Sequence, residues 1–247
     1  MEAKLGSISN RIYWSSLLKA AVFAAAWLFL PFWAFLLIAL YLYFVPWFVP
    51  GRLMAPFLAL LTLAYVQPIP SSGVGAWFAL IFGAIFYCIL LVKDLLILDR
   101  RSMYEVLVLI LIFLLLRDFY AAFAVGIGGP GGGGAVLLYA FLLAGAITLL
   151  FRNFLGAFPG PTGASERPAV WLVFLLAFQL CVAGLFVPLD FIYQSAAIFL
   201  VVALIVDLTA ERVFSGPEGL PRTKIFGTVG AILALLVLVL VSAKWGL

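Results

Sequence analysis

The amino-acid sequence predicts an all-α protein: a polytopic bundle of transmembrane helices with about nine spans and a cytoplasmic N-terminus. Three observations carry this. Hydrophobic residues make up 67% of the chain and charged residues 10%, against roughly 45–50% and about 25% in a soluble domain. A soluble fold cannot bury that much apolar surface, whereas a lipid solvent removes the need. The apolar runs are also continuous and rich in Leu, Ala and Phe. A membrane barrel would alternate apolar and polar residues, and in hydrocarbon a helix satisfies its own backbone. Finally, Lys and Arg collect on alternate connections, the pattern that sets orientation.

Each element follows in order. Residues 1–12 form a short basic segment, and "MEAKLGSISNRIYWSSLLK" turns apolar without a small-residue cleavage site. It reads as an uncleaved anchor. Residues 13–49 divide at Pro31 into spans 13–30 and 32–48, each roughly 26 Å long, because Pro suits the first turn of a new helix. The alternative, one tilted helix over 13–49, gives eight spans. Residues 53–66 form a shorter run containing Pro56. The clearest spans are 74–92, 103–124, 135–151, 168–187, 191–208 and 225–243, near the ~20 residues that cross the hydrocarbon core.

Nine spans put Lys4, Arg11, Lys19, Arg52, Lys93, Arg100, Arg101, Arg152, Arg167, Arg212, Arg222 and Lys224 inside, and only Lys244 outside. The outer connections, at Pro31, "QPIPSSG", "GIGGPGGGG" and "VPLD", carry no Lys or Arg. Eight spans would move Lys4, Arg11 and Lys19 outside, so nine is preferred. The whole chain, 1–247, reads as one integral domain of the bacterial cytoplasmic membrane. Small residues at every fourth position mark candidate helix seams: Gly75, Ala79 and Gly83; Ala140, Ala144 and Thr148; Gly227 with Ala231; Gly230 with Ala234.

Composition also limits the chemistry. There is no His, which removes the commonest general base and metal ligand. Cys88 and Cys181 lie in apolar runs and read as small buried hydrophobes. The net charge of +4 reflects inner loops rather than nucleic-acid binding. No metal site or cofactor is expected. "GIGGPGGGG" lacks the Lys and Ser/Thr of a phosphate loop. Serine-elbow, zincin, dinucleotide and GxGD motifs are absent.

The few polar residues are therefore the candidates. Arg117 and Asp118 lie within span 103–124, where a charge at the centre costs roughly 2.5–3.5 kcal/mol. Adjacent side chains diverge by about 100° on a helix. Each is expected to find a separate partner, with Asp190 at a suitable depth for Arg117. A structural tie is preferred, and a substrate or ion site is the alternative. In "VKDLLILDRR", Asp94, Asp99, Arg100 and Arg101 read as a solvated turn that fixes topology, or as a site for a divalent ion and a lipid phosphate. Asp207, Glu211 and Arg212 read as a wet helix end before Gly216-Pro217, with the two acids at i, i+4, where sharing a cation is the alternative. The cytoplasmic loops 152–167 and 209–224 are the surfaces best suited to a protein partner.

The stretch "GAWFALIFGAIFYCILLVKDLLILDRRSMYEVLVLILIFLLL" (75–116) resembles multi-pass membrane proteins of candidate-phylum bacteria, through its glycine-bearing span, K-D turn and D-R boundary. "LLIALYLYFVPWFVPGRLMAPFLALL" resembles the cell-shape membrane subunits of the MreD family. Neither resemblance implies site residues. The expected function is a non-enzymatic structural or accessory envelope component. The alternatives are a small-solute transporter and an enzyme acting on a lipid-linked substrate.

Overall fold

Proline placement sets where the helices stop. The computed structural model describes residues 2–45, 53–67, 74–93, 100–124, 133–158, 166–215 and 222–243. Their regular elements are all helices: α1 (Glu2–Phe29), α2 (Phe32–Phe44), α3 (Met54–Val66), α4 (Val74–Lys93), α5 (Arg100–Ala124), α6 (Gly133–Ala157), α7 (Glu166–Gly184), α8 (Phe191–Ser215) and α9 (Arg222–Ser242). The protein is all-α, as the composition predicts.

The segment 13–49 is two helices. Pro31 caps α2 with φ −62° and ψ 149°, an extended conformation that ends the preceding helix. The second of them is shorter than expected. Val45 is extended at φ −105° and ψ 120°, as a residue before proline (here Pro46) prefers. Gln67, before Pro68, ends α3 the same way at φ −74° and ψ 113°. Pro56 sits in the first turn of α3, where its missing N–H costs nothing. Elsewhere charge ends the apolar run but not the helix. α6 continues past 151 through Arg152, and α8 past 208 through Glu211 and Arg212.

Among the described residues six helices (α4 to α9) are long and apolar enough to cross a membrane by length and composition. α2 and α3 have 13 residues each, about 20 Å at ~1.5 Å per residue. That is roughly 10 Å short of a hydrocarbon core.

The chain divides into two compact units, Met1–Leu107 and Val108–Leu247, with the division inside α5. In the first unit α1 packs on α4 and α2, and α3 packs on α4. Its core is aromatic. Phe23 stacks on Phe86 at 4.3 Å and meets Phe35 edge-on at 5.1 Å. Tyr43 stacks on Phe57 at 4.1 Å. The predicted seam on α4 is real. A Cβ at Gly83 would lie 3.1 Å from Ala24 Cβ and 3.4 Å from the Ala20 carbonyl of α1, so the glycine lets the two backbones close.

In the second unit α7 packs on α6 and α8, and α9 packs on α8. Phe141 of α6 meets Phe174 of α7 edge-on at 5.3 Å, and Phe113 of α5 meets Phe199 of α8 at 5.3 Å. Ala140 and Ala144 are fully buried. The small residues of α9 differ: Gly227, Gly230, Ala231 and Ala234 are exposed.

Gly83→Val should separate α1 from α4 and cost about 1–3 kcal/mol through overpacking, read as a lower melting temperature in detergent. Gly145→Ala adds its Cβ where no described atom lies within 4 Å. It should be neutral or slightly stabilising, since Ala is the better helix former by about 1 kcal/mol.

Candidate functional site

Each helix leaves its last four carbonyls without an intrahelical partner, and in hydrocarbon no water replaces it. At the C-terminus of α7 all four are satisfied. The chain tightens, so that Leu185, Phe186 and Val187 donate their N–H groups to Val182, Ala183 and Gly184 at 3.1 Å each. The fourth carbonyl, Cys181, accepts from the Tyr120 hydroxyl of α5 at 3.1 Å. Gly184 also accepts from the Gln194 amide of α8. Tyr120 and Gln194 are both buried. Gly184 has to be a glycine here. A Cβ would overlap the Tyr120 hydroxyl and come within 2.9 Å of Ile198 Cγ1.

The first unit uses the same device. Lys19 of α1 donates to the Val45 carbonyl at 2.7 Å, and Lys93 of α4 donates to the Tyr43 carbonyl. Two ammonium groups thus sit at the negative end of the α2 dipole, a favourable placement. Lys93 also lies 4.8 Å from the centre of the Tyr43 ring, within cation–π range. Trp27 donates its indole N–H to the Ala64 carbonyl near the end of α3 at 2.9 Å.

Two of the candidate charges touch each other. Arg117 Nη1 lies 3.4 Å from Asp118 Oδ1, with side chains 28% and 10% exposed. The adjacent residues therefore contact each other. Their Cβ bonds diverge, but the arginine stem is long enough to fold back, and the separation exceeds the ~2.7–2.9 Å of a well-aligned charged pair. Asp190 is exposed, immediately before α8, and its carbonyl accepts from the Gln194 N–H at 2.9 Å. No ion pair joins Asp190 to Arg117 among the described residues. An acid at the start of a helix is stabilised by the dipole, which gives Asp190 a local structural role.

Asp94 and Asp99 lie outside the described residues. Arg100 is the first residue of α5, and Arg101 is half-buried on the same helix. Asp207 and Glu211 are half-buried one turn apart on α8, and Arg212 is exposed in its last turn. That helical continuation agrees with the sequence reading. Among the described residues no group of three His, Cys, Asp or Glu side chains is placed to hold a metal ion.

Sequence reasoning missed Tyr120, Gln194 and Trp27. The available signal was Gly184 followed by Pro188, a helix stop that calls for partners. It also missed a cavity of about 420 Å³ lined by Arg152, Arg167, Val170 and Trp171.

No family model matches the chain, and no curated protein or solved structure matches it.

Tyr120→Phe should cost about 1–2 kcal/mol, because the buried Cys181 carbonyl loses this donor. Gly184→Ala should cost more. The double variant should be less destabilised than the sum, since removing the hydroxyl relieves part of the overlap. Chemical unfolding of the four proteins in one detergent tests this, and simple additivity would contradict the arrangement.

Proposed function

We propose that this chain is a multi-pass protein of the bacterial cytoplasmic membrane, serving as a non-enzymatic structural or accessory component of the envelope. The observation that carries this reading is α9. None of its 18-residue apolar window is buried, and Leu238 and Val241 are 66% and 80% exposed. Its small residues face outward, and nothing described lies within 4 Å of a Cβ at Gly227 or Gly230. Small residues at this spacing suit close approach by a second helix. The buried polar side chains support the same reading. Tyr120, Gln194 and Trp27 are bonded to backbone carbonyls of neighbouring helices.

A photo-crosslinking residue at Ala231 or Ala234 should yield one discrete protein adduct in native membranes. Lipid adducts alone, from a monomer with robust turnover, would end the reading.

The Arg117–Asp118 pair favours a second reading, small-solute transport, because charges inside a span are functional candidates. Under the first reading Asp118→Asn should lower stability by about 1–2 kcal/mol, the weight of one partly exposed charged contact. Under the second it should abolish solute or proton flux in reconstituted vesicles while the fold is retained.

A further inference from the structure

The cavity lined by Arg152, Arg167, Val170 and Trp171 serves neither helix capping nor the α9 face. Arg152 lies in the closing turns of α6, and Arg167 is the second residue of α7. Two helix ends thus bring two guanidinium groups to one concavity. Like charges so placed repel unless an anion lies between them. Among the described residues no salt bridge joins either arginine to a carboxylate. Both side chains are exposed, so they are open to a ligand.

The other two lining residues narrow the ligand class. Val170 and Trp171 are apolar, and Trp171 is 65% exposed. Tryptophan in this setting sits at headgroup level. The cavity therefore has a cationic part suited to bidentate contact with phosphate oxygens. Beside it is an apolar part suited to the glycerol and first methylenes of an acyl chain. Basic pockets between helix ends on the cytoplasmic side are where anionic headgroups bind.

We propose that this cavity binds the phosphate of an anionic phospholipid, with Arg152 and Arg167 on its oxygens and Trp171 against its glycerol. The proposal rests on the membrane reading above and is independent of the accessory role.

Native mass spectrometry of the detergent-purified protein, titrated with dioleoylphosphatidylglycerol or dioleoylphosphatidylcholine, tests it. The wild-type chain should retain the phosphatidylglycerol preferentially. The Arg152→Gln/Arg167→Gln variant should bind it about tenfold more weakly, a loss of ~1.4 kcal/mol. Its melting temperature in lipid-free detergent should not change, because both side chains are exposed. Arg212→Gln, which alters an exposed arginine outside the cavity, should bind like wild type.

Equal retention of the two lipids would overturn the proposal, and so would an equal loss in Arg212→Gln. Complete displacement by millimolar inorganic phosphate would reassign the site to a soluble phosphate anion and overturn the lipid assignment. Failure of the membrane reading would look different: the chain would remain in solution without detergent.

Discussion

The structure depends on one constraint: a helix that ends where water is scarce must find donors for its last carbonyls. Leaving a buried carbonyl unpaired costs about 1–3 kcal/mol, comparable to a large part of a domain's net stability of about 5–15 kcal/mol. α2 and α3 have 13 residues each, about 10 Å short of a hydrocarbon core, and both end on side-chain donors from other helices. Lys19 and Lys93 meet the constraint for α2, and Trp27 for α3. α7 meets it with a tightened turn plus Tyr120 and Gln194. Each side-chain donor comes from a different helix than the one it caps. The caps therefore act as cross-links between helices as well as local repairs.

Packing follows from those anchors. With α1, α2 and α4 tied at one place, the rings of Phe23, Phe35, Tyr43, Phe57 and Phe86 fill the space between helices. Gly83 lets α1 and α4 close to backbone contact. In the second unit Gly184 makes room for the hydroxyl that caps its own helix. Both glycines are needed for what approaches them rather than for backbone freedom. Among the described residues no side-chain hydrogen bond ties α9 to a neighbouring helix, and its apolar surface is left for lipid or for another chain.

Much of this was legible in the sequence, for a physical reason. Hydropathy and proline act locally, so the apolar runs, the break at Pro31 and the small-residue seam at Gly83 can be read from neighbouring letters. The caps cannot. Tyr120 meets the Cys181 carbonyl across 61 positions, and Lys93 meets Tyr43 across 50. Their targets are backbone atoms, which leave no pattern of residue types. Arg117 and Asp118 were legible as a pair of charges, but their mutual contact depends on a side-chain conformation that helix geometry alone does not dictate. Arg152 and Arg167 are read from sequence as topology markers. Only the positions of the α6 and α7 ends make them neighbours around one cavity.

Side chains from neighbouring helices hold the helix ends, with Lys93 at a half-buried carbonyl of α2 and Lys19 at a more exposed one. Unfolding of Lys19→Met, Lys93→Met and the double variant in a bilayer mimetic tests it most directly. Methionine keeps the apolar stem and removes the donor. Lys93→Met should cost about 1–2 kcal/mol and Lys19→Met less, because the Val45 carbonyl is exposed, and the double variant should lose protection from hydrogen exchange at the end of α2 before the rest of the unit opens. Wild-type stability and unchanged exchange in the double variant would contradict the claim.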